Sequence, residues 1–285
     1  MRIATIVILA LALFGCRDKN NRKNAQVPKQ AIQANVNSKG IQIDNSAPVN
    51  PDDTIPNVSI PAGAIQVTDN EIDSTSNIRI VGNGEDIILT PDWAKFKWKT
   101  ITFSNYLHET KVKLKREPYG EGTEGVGHMG LFISSIDKDA RFLVSGLNST
   151  NRPVDTICIK RTVLYPGQKE KIEFKGITYT LYATGHKMDS VEKGYHNYKL
   201  FLTANVKGHI FNQLIASMKE NFGDTDDSEV LSYFIIYYIG DIDGDNIPDF
   251  CMEERGNFWS VDIYYLSSIA GDKAIVKKIP SFKPY

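Results

Sequence analysis

Only three cysteines, five histidines and three tryptophans occur in the 285 residues, and the longest charge-free apolar run near the start, Ile3 to Phe14, covers twelve positions. That run is too short for a membrane-crossing helix, which needs roughly 20 residues. Neither sign of charge dominates: 33 basic against 34 acidic residues give a formal net charge of -1, which argues against a dedicated nucleic-acid or polyanion surface. The basic cluster Lys111-Val112-Lys113-Leu114-Lys115-Arg116 alternates charge with apolar residues, and one solvated face of a strand accounts for it. Catalytic signatures are equally scarce. His108-Glu109 begins like HExxH, but Val112 stands where the second histidine must be, so a zinc-peptidase site of that type is excluded. Gly120 to Gly125 (GEGTEG) satisfies GxGxxG by its letters. The strand-like MGLFIS that follows replaces the helix whose N-terminus would hold phosphate, so a hairpin loop is expected there. No GxSxG elbow is present, and the histidines show no short ligand spacing except His186 and His196, ten apart in a loop-like region. No catalytic residue can be named from these patterns.

The apolar run instead follows a basic start, Met1-Arg2, and ends at Leu13-Phe14-Gly15-Cys16. A short core behind a positive charge reads as a signal peptide. The four closing residues resemble the lipobox of bacterial lipoproteins, with Phe14 bulkier than the pattern usually has. The resemblance implies a diacylglycerol on the Cys16 thiol and cleavage just before it, so that residues 1–15 are a signal peptide and the membrane is reached through the lipid. At about 0.8 kcal/mol per buried methylene, two or three acyl chains would hold the protein without a spanning helix. The expected location is the bacterial cell envelope, with the outer membrane or cell surface favoured over the inner membrane. If Cys16 carries lipid, Cys158 and Cys251 remain. In an oxidising compartment they are free to pair, and two separate buried thiols are an equal alternative.

From Arg17 to about Asn57 the chain is mostly Asn, Lys, Asp, Gln, Ser and Pro, with isolated valines and isoleucines and no aromatic residue. It has too little apolar surface to offset chain entropy, so residues 16–76 are expected to be a disordered tether and a linker whose later part, 51–76, partly docks. Residues 77–285, about 200 in number, suffice for one well-packed domain or two small ones. Period-two alternation dominates this part: Phe96, Trp98 and Thr100; Val112 and Leu114; Tyr198, Leu200 and Leu202. KIEFKGITYTLYA reads as a hairpin turning near Lys175-Gly176, and Met129 to Ile133 and Arg141 to Val144 as further strands. Tyr233 to Ile239 (YFIIYYI) does not alternate and should be a strand buried on both faces. One helix is expected where Ile210, Phe211, Leu214, Ile215 and Met218 recur at 3.6-residue spacing. The fold class is therefore mainly β, α+β with one short helix, built from antiparallel sheets in a sandwich-like or open barrel-like arrangement.

The Tyr233 strand runs into the one segment with clear chemical content, Gly240-Asp241-Ile242-Asp243-Gly244-Asp245-Asn246-Ile247-Pro248-Asp249-Phe250. Calcium takes six to eight oxygen ligands at about 2.3–2.6 Å, and a tight loop lets alternate side chains converge while a backbone carbonyl fills a gap. Asp241, Asp243 and Asp245 would be first-turn ligands, Ile247 would give its carbonyl, and Asp249 would close the site around one ion. Gly244 and Asn246 suit the unusual backbone angles such a loop needs. These residues resemble the DxDGDGxxD loops of integrin-like FG-GAP and VCBS repeats. Asn246 replaces the usual glycine, and Met252 stands where an EF-hand has its closing glutamate. DxDGD occurs once, so the resemblance covers about ten residues and implies no propeller of repeats. Residues 231–282 also resemble the ending of uncharacterised bacterial lipoproteins, which implies secretion and metal binding. Two functions follow: a non-catalytic, calcium-stiffened module that binds an envelope protein or glycan, or a secreted hydrolase of peptide or polysaccharide. The second would need an acid and a base beside the loop, for which Glu253, Glu254 and Asp262 are candidates.

Overall fold

The computed structural model describes residues 60–68, 77–86, 93–118, 129–187, 194–218, 222–223, 232–256 and 260–280. Cys16, the signal peptide and the greater part of the expected tether lie outside the described residues, as do the Gly120–Gly125 segment and Trp259. Among the described residues the chain is mainly β, with sheets that are antiparallel, one short pairing apart, and no closed barrel.

The described residues form four sheets. The largest runs in the order Ile65–Val67, His209–Met218, Gly194–Val206, Ile177–Lys187, Lys169–Phe174, with Phe222–Gly223 paired beside Gly194–Val206. A second holds Tyr233–Gly240, Asp249–Arg255, Ser260–Leu266 and Lys277–Lys278. A third holds Arg79–Gly82, Ala140–Ser145, Trp98–Thr102, Tyr106–Thr110 and Arg152–Pro153, and a fourth Glu85–Asp86, Met129–Ser135 and Val112–Pro118. Ile65–Val67, from the segment expected to dock partly, pairs parallel to Phe211–Gln213; the other pairings between strands are antiparallel.

The side chains show how the sheets stack. Along Asp249–Arg255, Phe250 and Met252 join Leu181, Leu202, Phe211 and Tyr265 in a core shared with the largest sheet. Cys251, between them, points the other way into a second core with Ile101, Phe142, Val144 and Tyr264. The 233–266 sheet is thus covered on both faces, which is why YFIIYYI lacks a polar side. Leu143, between Phe142 and Val144, belongs in turn to a third core with Trp93, Trp98, Leu131 and Ile133. Cys251 is fully buried and forms no disulfide, so Cys158 and Cys251 are not a pair.

The hairpin over residues 169–187 forms as its alternation predicts, with Lys175 at φ 49° and Gly176 at φ 79° in the turn, as a right-twisted two-residue connection requires. The helix does not form: His209–Met218 is a strand. A register shift places Leu200 opposite Ala216 but Phe201 opposite Leu214, leaving Ile215 unopposed. That one-residue bulge switches the parity of the buried face, so Phe211, Ile215, Ala216 and Met218 contribute to one core at a spacing that imitates a helix. The intervening inward position, Gln213, is polar. Its amide donates to Val276 O at 2.6 Å and accepts from Ile275 N and Val276 N at 3.0 and 3.1 Å, fastening the C-terminal segment to this strand.

Candidate metal centre

The aspartate loop joins two strands that are buried along most of their length. Gly240 and Asp249 are the last partners of the ladder between Tyr233–Gly240 and Asp249–Arg255, so residues 241–248 must turn the chain between them. Segment 155–157 runs close by. Asp241 N donates to Asp155 O at 2.9 Å and Ile157 N to Ile239 O at 3.0 Å. A Cβ at Gly240 would stand 3.0 Å from Asp155 O and from the Tyr238 hydroxyl, so only glycine fits without displacement. Gly244 and Asn246 adopt φ 92° and 67°, the left-handed values expected of them.

Within the loop each early aspartate accepts hydrogen bonds from the backbone just ahead of it. Asp241 accepts from Gly244 N at 2.6 Å and Asn246 N at 3.3 Å, Asp243 from Asp245 N at 3.3 Å, and Asp245 from Ile247 N at 2.8 Å. Asp249, fully buried, reaches back. Its Oδ2 accepts from Ile242 N at 2.7 Å and its Oδ1 from Ser267 N at 2.7 Å. Carboxylate oxygens of Asp241, Asp243 and Asp249 lie within 4.8 Å of one another, a group able to hold a metal ion. Asp245 is not part of that trio. Its Oδ1 instead lies 2.9 Å from Ser267 Oγ, which is also 2.9 Å from Asp249 Oδ1 and 3.4 Å from the Ile247 carbonyl. The residues expected as ligands therefore form two sets that share Asp249.

Asp249's carboxyl is held well above the usual carboxylate range, first by burial and then by the charge of Asp243. Asp245 is raised for the same two reasons in the same order. Arg152 is the cation nearest the trio among the described residues, and its guanidinium stands 3.9 Å from Asp241 Oδ1. The backbone donors offset part of the charge of these three crowded carboxylates, and a bound cation would offset the rest. The donor set is all oxygen, which fits a hard divalent cation.

Three contributors to the centre were not legible in the sequence. Arg152 donates to the Asp241 and Ile242 carbonyls at 2.8 and 3.0 Å, and its guanidinium fills the space where a Cβ at Gly244 would be 3.1 Å away. It stands 89 residues before Asp241, and no local signal marks it. Ser267 and Ser268 close the other side, Ser268 N donating to Asp243 Oδ2 at 3.1 Å. Their place in the YYLSS strand end was the available cue.

The remaining candidates lie elsewhere. Glu253 is bound by Arg255 at 2.7 Å and faces Asp262 across the ladder. Glu254 is raised by burial, against the lowering charge of Lys278. His186 and His196, expected in a loop, are exposed cross-strand partners. His108 Nε2 lies 3.2 Å from Asp137, whose carboxyl is held below its usual range mainly by a Thr110 hydrogen bond. Comparison of the chain with protein-family models, with curated proteins and with solved structures gives no match.

Proposed function

We propose that this chain is a lipid-anchored protein of the bacterial cell envelope whose β domain is a non-catalytic binding or structural module stiffened by one calcium ion. The observation that carries the metal reading is the buried group formed by Asp241, Asp243 and Asp249, with its single nearby guanidinium. Asp245 and the Ile247 carbonyl would complete the ligand set, since both converge with Asp249 on Ser267. Calcium would neutralise the loop and fasten the Tyr233–Gly240 hairpin to the end of the Ser260–Leu266 strand. Stiffening is the natural use of such a site, because the aspartates are already committed to backbone hydrogen bonds inside a packed sheet. The anchor reading rests on Cys16 standing where the apolar run Ile3 to Phe14 stops.

Thermal unfolding in calcium and in chelator tests the metal. Saturation at about 100 times the dissociation constant adds about 2.7 kcal/mol, and an unchanged midpoint sinks the reading. The anchor is tested separately by labelling cells with an alkynyl fatty acid. The wild-type chain should take up label and fractionate with membranes, and Cys16→Ser should do neither; labelling of Cys16→Ser would refute the lipid site.

A further inference from the structure

An edge strand presents every second backbone N–H and C=O to whatever can pair with them. Among the described residues, two other outer strands take contacts from a neighbouring segment. Beside Tyr233–Gly240 runs the connection from Asp155 to Thr162, with Ile236 N donating to Thr162 O at 2.7 Å and Ile157 N to Ile239 O at 3.0 Å. Over Lys169–Phe174, Lys160 N donates to Glu170 Oε1 at 3.1 Å and Arg161 to Lys169 O at 3.3 Å. The remaining outer strands are short: Ile65–Val67, Arg79–Gly82, Glu85–Asp86, Arg152–Pro153 and Lys277–Lys278. Val112–Pro118 is longer than these and, among the described residues, takes no such contact on its outer side. It is seven residues long, pairs with Met129–Ser135 in unbroken register, and has a strand on that side only.

The phase of its backbone follows from one bond. Ile136 N donates to Lys111 O at 3.0 Å, and these two residues continue the register that pairs Val112 with Ser135. In an antiparallel ladder such pairs alternate. Lys111, Lys113, Lys115 and Glu117 therefore turn their backbone groups to the neighbouring strand, and Val112, Leu114 and Arg116 turn theirs to the open side. Among the described residues nothing pairs with these outward groups. Pro118, next in the same phase, has no N–H and ends the row of donors.

The side chains sort by the same period. Val112 packs on the core of Trp93, Trp98 and Ile133, while Leu114, opposite Ile133, stays 36% exposed at the margin of that core. On the opposite face Lys111 and Lys113 are exposed, and Lys115 is paired with Glu117. We infer that Val112–Arg116 is a strand-addition site for an extended segment of a partner protein in which acidic and apolar residues alternate. Such a segment would satisfy the outward backbone groups, cover Leu114 with one set of side chains, and place the other set beside Lys111 and Lys113. Charge selects this occupant over a second copy of the chain, because edge-to-edge self-pairing would set lysines against lysines. Lysines alone would merely guard an edge, but a guarded edge has no use for a half-uncovered leucine among them.

The inference rests on the binding-module part of the proposed function and not on the calcium ion. It is tested with the full-length chain in saturating calcium, whose own binding is read beforehand from the thermal shift, so that the two readings fail separately. The probe is a terminally blocked nonapeptide alternating glutamate and valine, followed by calorimetry and amide hydrogen exchange. Saturable binding that weakens with salt, with new protection at Val112, Leu114 and Arg116, is expected. The same peptide with lysine for glutamate, or with proline at its centre, should not bind. Leu114→Pro removes an outward donor without touching the ladder to Met129–Ser135, since proline is tolerated on an open edge. It should lower affinity at least about tenfold, or about 1.4 kcal/mol. The K111E/K113E double variant, which alters only exposed side chains, should reverse the preference from the glutamate to the lysine peptide and stands as the test if Leu114→Pro fails to fold. Absence of saturable binding, equal binding of the proline-centred peptide, an unreversed charge preference, or self-association protecting the same amides would each overturn the proposal.

Discussion

Asparagine at position 243 would remove one negative charge from the aspartate group with little change of shape, and its effect should change sign with calcium. The Asp243 carboxylate lies within 4.8 Å of oxygens of both Asp241 and Asp249. Two unit charges that far apart repel by about 3.5 kcal/mol at an effective dielectric constant of about 20. Asp243 is half-buried and Arg152 partly offsets Asp241, so screening reduces the repulsion relieved to about 1–2 kcal/mol in total. Against this, an amide keeps one acceptor where the carboxylate has two. One of the bonds from Asp245 N and Ser268 N is lost, at a cost of about 1 kcal/mol. In chelator, Asp243→Asn should therefore be as stable as wild type or about 1 kcal/mol more so. In calcium the order reverses. If the lost ligand raises the dissociation constant about 100-fold, the concentration that gives wild type about 2.7 kcal/mol gives the variant about 0.4 kcal/mol. At about 2–4 °C per kcal/mol for a domain of this size, wild type should gain about 5–11 °C and the variant about 1–2 °C. Calorimetric midpoints in the two buffers read this directly. Equal destabilisation in both buffers would refute the reasoning, because it would mean that Asp243 serves only its backbone hydrogen bonds.

The pH dependence should also invert. Burial and Asp243 raise Asp249 in the folded state, so without metal the folded chain holds a proton that the unfolded chain has released. That contribution is complete below the ordinary aspartate pKa and is lost as pH rises through the raised one, so the chelated midpoint should fall as pH rises above the ordinary aspartate range. With calcium, acid competes for the ligands and the midpoint should fall in the other direction, toward pH 5; parallel pH profiles in the two buffers would contradict the metal assignment. Gly244→Ala meets a left-handed φ of 92° and the Arg152 guanidinium 3.1 Å away, and should cost about 1–3 kcal/mol in urea unfolding. Arg152→Met removes both hydrogen bonds from Nη2 to the loop carbonyls and should destabilise by about 1–3 kcal/mol. An unchanged urea midpoint would show that the loop holds its shape without the guanidinium.

Much of this architecture was legible because period-two patterning survives wherever one face of a strand is wet. The Lys169–Phe174 hairpin and the strand at Trp98 follow from that alternation, and the Tyr233 strand, half-buried on one face and buried on the other, from its lack of polar residues. His209–Met218 defeated the same reasoning for two physical reasons. A bulge at Ile215 changed the parity of the buried face, and Gln213 took an inward position to bind backbone 63 residues away. The aspartate loop was readable because its geometry is local, each carboxylate capping amides a few residues ahead. Arg152 and Ser267 were not, because they arrive from other strands through tertiary packing, which the spacing of the aspartates does not encode.

The most direct test of the central claim is calorimetric titration of calcium into the metal-stripped full-length chain, with Asp249→Ala in parallel. One ion per chain, bound by wild type and not by the variant, is the predicted result. No heat of binding up to millimolar calcium, or equal binding by Asp249→Ala, would contradict it and leave residues 241–249 a hydrogen-bonded acidic turn that depends on protons for its charge balance.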